Sequence, residues 1–244
     1  MDSNGSFVRT WGEPGTEPGQ FDFYLHDYAV GHLAVHGNAD YVADARNNRI
    51  QQFTLDGAFV RQWGSPGSED GQFDEPSGIL VDRDGRVLVA DYGNDRVQVF
   101  DADGTFLESW GGKTVADNVL LGPNDLAIDE DGNIYVSSEG SQSVFRLDTN
   151  GTVLDEIGSS ANMVLPWGIA VDQDGNIYVV DEKKHQLLVF TAGGDLITTI
   201  GKHGTKPGDF QFPLNLTLGP DGNLYVSDQD NNRIQIFAIE RPAS

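Results

Sequence analysis

The chain has 244 residues, of which 15 are Lys or Arg and 38 are Asp or Glu, so its formal net charge is -23. Such a surface repels the phosphates of a nucleic acid, and no apolar stretch approaches the roughly 18 residues of a membrane span. Zero cysteines exclude disulfides and thiolate chemistry. Thirty glycines and ten prolines against two methionines predict a chain that turns often and is mainly β.

The N-terminal sequence MDSNGSFVRTWG contains no basic start followed by an apolar segment. We therefore expect either a cytoplasmic protein or an exported one whose signal has already been removed. The sequence leaves the compartment open between these two.

A short motif recurs along the whole chain. It appears as FVRTWG at Phe7–Gly12 and returns from Phe59, Phe106, Val153 and Leu196. A second unit lies between successive copies, as in PSGILVDRDGRVLVADYGNDRVQVF after Glu75. Self-similarity with a period of about 20 to 50 residues is typical of solenoids and propellers.

Each second unit predicts three strands, with an Asp-Gly hairpin between the first two and a longer polar loop before the third. The next FVRQWG-like segment supplies a fourth strand, which predicts four-stranded antiparallel propeller blades. The chain begins with a fourth-strand segment and ends with a third strand, RIQIFAI from Arg233. We predict an all-β propeller of five blades closed by the N-terminal strand, as one domain over residues 7–239 with short tails at 1–6 and 240–244.

The second unit, with its P-x-G-I-A-V-D-x-D-G-N-I-Y-V-x-D-x-x-N-x-R-I-Q-V-F character, resembles the NHL repeat over essentially residues 7 to 239. The resemblance implies propeller architecture. Because members of this family commonly have six blades, six blades is the alternative to five. NHL domains that bind RNA use a basic face, which this composition does not supply.

Two repeated features predict structure and not chemistry. The Asp-Gly pairs, such as Asp131-Gly132, lack the frame of an EF-hand and predict tight turns. An Asp that ends the second strand and an Arg that opens the third predict an ion pair across the loop. This pair recurs at Asp44 and Arg49, Asp91 and Arg96, and Asp228 and Arg233, whereas blade three has Ser138 and Ser143 and blade four has Asp181 and Gln186.

The tryptophans fall into two groups. Trp11, Trp63 and Trp110 occupy the W-G position of the short motif, and we expect them to pack between blades. Trp167 lies at the entry to a first strand, which borders the channel in propellers, and predicts an aromatic ligand platform. The matching positions of the other copies are Ser77, Asn124 and Leu214.

The sequence contains candidate ligands for two metals, zinc and calcium. His26, His32 and His36 cluster in the sequence, but His32 replaces the buried Ile79 of the next copy, which favours structural histidines over a zinc site. The blades also resemble those of peptidylamidoglycolate lyases, which bind zinc through histidines after the first-strand Pro, but no His occupies that position here.

The fragment PNDLAID resembles lactonases of the gluconolactonase and senescence-marker group and implies a calcium site at Asn124, Asp125 and Asn215.

We place the candidate site on the loop-rich face, at residues that differ from their counterparts in the other repeats. Our preferred hypothesis is a monomeric binding module without chemistry of its own, which holds a protein, peptide or glycan ligand. The alternative is a calcium-assisted lactonase-type hydrolase or lyase at the channel mouth, although the sequence contains no G-x-S-x-G elbow or phosphate loop. The candidate residues are Ser77, Asn124, Asp125, Glu139, Trp167, Glu182, Lys183, Lys184, His185 and Asn215.

Overall fold

The computed structural model describes residues 9–25, 28–29, 31–112 and 119–239, and the structural statements below concern these residues. They form β-strands and three short 3-10 helices, at Ala45–Asn47, Tyr92–Asn94 and Gln229–Asn231. None of the helices in this part of the chain has the length and apolar character that crossing a bilayer requires.

The strands build five antiparallel sheets, which are the blades of a propeller and confirm the predicted all-β, five-bladed fold. Two strand pairs precede the first blade: β1 (Glu13–Pro14) with β2 (Gln20–Phe21), and β3 (Tyr24–Leu25) with β4 (Tyr28–Ala29). Blade one contains β5 (Gly31–His36), β6 (Ala39–Asp44), β7 (Arg49–Thr54) and β8 (Phe59–Trp63), and blade two contains β9 (Pro76–Val81), β10 (Val87–Asp91), β11 (Arg96–Phe100) and β12 (Phe106–Gly111). Blade three contains β13 (Pro123–Ile128), β14 (Ile134–Ser138), β15 (Ser143–Leu147) and β16 (Val153–Ile157). Blade four contains β17 (Pro166–Val171), β18 (Ile177–Asp181), β19 (Gln186–Phe190) and β20 (Leu196–Ile200), and blade five contains β21 (Pro213–Leu218), β22 (Leu224–Asp228) and β23 (Arg233–Phe237).

Apolar clusters fill the junctions between successive blades from one to five. At each junction the first strand of the later blade inserts one side chain against the blade before it. Burial of such a side chain contributes about 1.5–3 kcal/mol, so these four residues fix how neighbouring blades pack. They are Ile79, Leu126, Ile169 and Leu216, which are 4% to 6% exposed.

The junction between blade five and blade one is different. Leu33 occupies the inserting position of blade one and is 63% exposed, while Ile234 on β23 is 61% exposed. Both side chains line a cavity of about 400 Å³ that is also lined by first-strand residues of blades two, three and four. The facing sheets of these two blades therefore share no closed apolar layer in the described part of the chain.

The predicted closing strand differs from the structure. Blade five has three strands among the described residues, and Arg9–Gly12 form no strand, while Phe7 and Val8 lie outside those residues. Trp11 nevertheless packs on blade one, with its ring centroid 4.5 Å from that of Phe53. Trp63 and Trp110 pack in the same way against the following blade, which confirms their predicted place between blades.

A bulge shapes the inner edge of blades two to five. In blade two, Ser77 and Gly78 together oppose Ala90, because Ile79 pairs with Val89 and Pro76 with Asp91. In all four of these blades the bulge places two successive residues of the first strand beside the channel.

Blade one lacks this bulge, and its register corrects one prediction. His32 pairs directly with Ala43, and Leu33 pairs with Val42 as Ile79 pairs with Val89. The predicted equivalence of His32 and Ile79 is therefore wrong, because blade one has one residue fewer before this point. His32 stands where the other blades place their bulge.

Candidate functional site

The loops on one face of the propeller are anchored by buried ion pairs. All three predicted pairs are confirmed, with Arg Nε to carboxylate distances of 2.8 Å for Asp44 and 2.7 Å for Asp91 and Asp228. Each carboxylate is 0% exposed and also accepts hydrogen bonds from Asn and Gln side chains of its own blade. Charge-assisted bonds in a buried setting are among the strongest that a loop can have.

The anchor of blade five holds the loop that enters the blade, residues 201–212. Arg233 donates to the main-chain oxygens of Thr205, Lys206 and Asp209, each at 2.8 Å. Asp228 in turn accepts the main-chain N–H of Gln211 at 2.7 Å. The backbone of this loop is thus held from Thr205 to Gln211, while the side chains of Lys202 and Lys206 are exposed.

Blades three and four lack the complete anchor, as the sequence predicts. Ser138 donates to the main-chain oxygen of Leu121, and Ser143 donates to Glu156. Asp181 keeps its role as an acceptor of loop N–H groups, from Val164 at 2.9 Å among others, but it has no Arg partner among the described residues.

Two loops of blades four and five bring cationic and aromatic side chains together. His185 lies with its ring centroid 4.7 Å from His203 and 4.7 Å from Phe212. The ammonium of Lys183 lies 5.4 Å from the centroid of the Phe212 ring, within reach of a cation–π interaction. We call this set the lysine–histidine surface; it comprises Lys183, Lys184, His185, Lys202, His203, Lys206 and Phe212.

His185 ties the two loops of this surface to each other. Its Nδ1 accepts the main-chain N–H of Phe212 at 3.0 Å. Burial, the neighbouring His203 and the charge of Lys183 lower the pKa of His185 below its ordinary value of 6.5. The neutral imidazole is therefore the form that holds the loops together.

The remaining candidates of blade four have structural partners. Glu182 is 1% exposed, and its Oε2 lies 3.4 Å from the ammonium of Lys183. Lys184 is half-buried and its main-chain N–H donates to Asp181 at 3.2 Å. Glu182 thus contacts Lys183 from a buried position. The exposed residues of the surface are Lys183, Lys202, His203 and Lys206.

Glu139 belongs to the loops of blades two and three. The hydroxyl of Tyr92 donates to its Oε2 at 2.7 Å. Burial and the Glu139 carboxylate raise the pKa of Tyr92, so the phenol keeps its proton and this bond. The structure assigns Glu139 to a neighbouring-loop contact and does not join it to the lysines of blade four.

Ser77 and Asn124 each link the first strand of their blade to that of the next blade. Ser77 donates to the main-chain oxygen of Pro123 at 3.0 Å, and Asn124 donates to that of Pro166 at 2.9 Å. Trp167 follows in this series but is 4% exposed and packs with Ala45 and neighbouring leucines. The indole thus fills the channel mouth, and it is not the exposed platform that the sequence predicted.

Asp125 and Asn215 line the cavity that opens between blades five and one, together with His32. Asp125 lies 3.2 Å from His32 Nδ1 and accepts the main-chain N–H of Leu126 at 2.9 Å. Its second oxygen accepts the N–H of Ile169 at 3.2 Å. The structure therefore brings together two of the predicted calcium ligands, but their oxygens already accept protein hydrogen bonds.

The donor set fits calcium poorly. Ca²⁺ takes six to eight oxygen ligands. Of the predicted ligands, Asn124 Oδ1 is buried and accepts no hydrogen bond from the described residues, whereas Asn215 Oδ1 accepts the N–H of Leu216 at 2.7 Å. No group of three or more His, Asp or Glu side chains is arranged for a metal in the described part of the chain, and His26 lies outside it.

Sequence reasoning missed Lys202, His203, Lys206 and Phe212. A signal was present, because the loops at residues 12–23, 64–75 and 201–212 are copies of one another. In the first two copies the position of Lys206 holds Glu17 and Glu69. An alignment of the three loops shows that the charge at this position is reversed only in the copy at residues 201–212.

The fold is shared with proteins of known structure. Virginiamycin B lyase from Staphylococcus aureus is 16% identical, with a TM-score of 0.65 over 89% of this chain and 72% of that one. A streptogramin B lyase is 18% identical, with a TM-score of 0.65 over 91% and 72%. The WD40 β-propeller domain of Doa1 is 15% identical, with a TM-score of 0.62 over 86% and 63%. At these identities the likeness concerns the fold.

Sequence comparison points to one repeat family. No curated protein matches the chain. The NHL repeat model matches residues 73–100, 164–190 and 210–237, which cover the first three strands of blades two, four and five. Because these matched units form one propeller with blades one and three, the chain belongs to the NHL-repeat β-propellers.

Proposed function

We propose that the chain is a binding module that holds an acidic peptide segment of a partner protein on its lysine–histidine surface. The observation that carries this proposal is the distribution of lysines. The chain has five lysines against 38 acidic residues, and four of the five are Lys183, Lys184, Lys202 and Lys206. Concentrating the scarce cations on two adjoining loops gives one locally attractive region on a repulsive molecule.

Local charge governs short-range docking here, because charges separated by more than about 8 Å are largely screened at physiological ionic strength. A nucleic acid is a poorer match, since its regular phosphates extend beyond the surface onto acidic blades. A peptide can offer a few carboxylates at the right places. The exposed His203 and the half-buried Phe212 supply the flat contacts that aromatic or apolar neighbours of those carboxylates favour.

Preorganisation supports the same function. The loop that carries Lys202 and Lys206 is fixed by Arg233, and the loop of Lys183 is joined to it through His185. Little conformational entropy is then lost by the protein backbone on binding. The resulting specificity depends on fixed charges over a fixed aromatic ring.

The test uses fluorescein-labelled hexaglutamate, with hexaglutamine as the neutral probe, in fluorescence anisotropy at low salt. We expect the Lys183→Gln/Lys202→Gln variant to bind hexaglutamate at least ten-fold more weakly than the unmodified chain. The control variant Arg61→Gln/Arg83→Gln removes the same charge from other blades and should bind within two-fold of the unmodified chain. Equal losses in both variants would mean that net charge, and not this surface, determines binding.

A further inference from the structure

A cavity lined by first strands of all five blades, and open between blades five and one, forms a second site that is separate from the lysine–histidine surface. Its cavity of about 400 Å³ falls within the range of small-molecule pockets. The side chains that fill the other four junctions, such as Ile79 and Leu126, are 5% and 6% exposed. Leu33 and Ile234, at the opening of this cavity between blades five and one, are instead 63% and 61% exposed, and the lining combines such apolar side chains with polar ones.

A nearly buried histidine and carboxylate line the same cavity. His32 is 9% exposed and Asp125 is 7% exposed. Because both carboxylate oxygens accept main-chain N–H groups, Asp125 acts as an acceptor, and His32 Nδ1 at 3.2 Å must be the donor. In the neutral imidazole the proton on Nδ1 leaves a lone pair on Nε2. No described residue forms a hydrogen bond with that nitrogen.

Asn215 supplies the complementary group. The N–H of Leu216 donates to Asn215 Oδ1 at 2.7 Å, which fixes the other terminal atom as the Nδ2 donor. Nδ2 has no hydrogen-bond partner among the described residues. The cavity lining thus contains one unused acceptor and one unused donor.

We propose that this cavity binds a small uncharged molecule that carries a hydroxyl group. A hydroxyl is both donor and acceptor, so its chemistry is complementary to His32 Nε2 and to Asn215 Nδ2. Asp125 is the one carboxylate among the described lining residues; it disfavours an anionic ligand, and its hydrogen bonds leave little for an ammonium. The inference does not depend on the proposed capture of acidic peptides.

The test is ¹⁹F NMR titration of the full chain with 4-(trifluoromethyl)benzyl alcohol and its methyl ether, which cannot donate a hydrogen bond. We expect the alcohol to bind about five-fold more tightly than the ether, the effect of one hydrogen bond. His32→Leu should bring the two affinities together. Leu33→Trp, at an exposed position that tolerates a large side chain, should fill the cavity and weaken both ligands.

Lys183→Gln is the matched control and should leave binding of the alcohol unchanged. Equal affinity of alcohol and ether in the unmodified chain would overturn the proposal, as would failure of both to bind. Undiminished binding by Leu33→Trp, with an unchanged melting temperature, would also overturn it because the ligand would then lie elsewhere. This readout is independent of peptide capture, so either proposal can fail alone.

Discussion

The loops at residues 64–75 and 201–212 have the same backbone design and opposite surface character. Each begins with a glycine at positive φ, buries a phenylalanine completely and is held by an Asp–Arg pair of the blade that follows. The first carries four carboxylates and no lysine, whereas the second carries Lys202, Lys206 and Asp209. Buried residues thus maintain the loop, while exposed ones are free to define a different surface on each copy.

The largest expected effect comes from removing the anchors. Asp91→Ala should lower the free energy of unfolding by about 3–5 kcal/mol, because it leaves Arg96 buried without its partner. Burial raises the pKa of Asp91, which reflects how far this carboxylate is from water. Asp228→Ala should cost about 1–3 kcal/mol, since the side chain of Arg233 is 27% exposed.

Urea unfolding followed by tryptophan fluorescence measures both anchor variants. Asp70→Ala is the control, because Asp70 is exposed and lies 3.9 Å from the guanidinium of Arg96. It should change stability by less than about 0.5 kcal/mol. Equal costs for Asp91→Ala and Asp228→Ala would show that exposure of the arginine does not separate the two loops.

The second prediction exchanges the surface of one loop for that of the other. Lys202→Ser/Lys206→Glu copies the residues Ser65 and Glu69 onto loop 201–212. Because neither side chain supports the backbone, we expect an unchanged melting temperature and at least ten-fold weaker binding of labelled hexaglutamate, equivalent to about 1.4 kcal/mol. Retained binding, measured by anisotropy, would remove loop 201–212 from the proposed site.

The third prediction concerns the contact that joins these loops to their neighbours. Asn48 Oδ1 accepts the N–H of Glu75, as His185 Nδ1 accepts that of Phe212. The two acceptor residues, Asn48 and His185, both have a positive φ. Because the pKa of His185 is lowered in the folded state, its contribution is complete above about pH 6.5 and is lost as pH falls through the lowered value.

His185→Asn should therefore keep the hydrogen bond and lose its pH dependence. We expect the melting temperature of the unmodified chain to fall more between pH 7.5 and pH 5 than that of the variant, as differential scanning fluorimetry measures. Parallel pH profiles would contradict this role of the imidazole.

The smallest expected effect is that of calcium. The lysine–histidine surface offers no oxygen cluster among its described residues, and the oxygens of Asp125 and Asn215 accept main-chain hydrogen bonds. Millimolar CaCl₂ should shift the melting temperature by less than about 1 °C relative to EDTA, because stabilisation by linkage requires binding to the native state. A clear rise with Ca²⁺ and not with Mg²⁺ would favour the channel-mouth hypothesis instead.

The sequence predicted the features that repeat. Blade period, Asp-Gly turns and the Asp–Arg anchors follow from local pattern, because each copy makes the same contacts. The sequence could not predict the burial of Trp167, since Ala45 of blade one and Leu214 of blade five pack with it. The pairing of His32 with Asp125 was also hidden, because it depends on a register difference of one residue and on a contact between blades one and three.

The three-stranded sheet of blade five indicates which part of the molecule unfolds locally first. Among the described residues, blade five has three strands and shares its buried apolar cluster with blade four, while Ile234 and Ile236 are 61% and 58% exposed. In a repeat array each unit draws its stability from its neighbours, so a unit with one neighbour is the first to fluctuate. Amide hydrogen exchange should be fastest in β21 to β23, so that these strands fray as a cooperative unit while blades two and three stay protected.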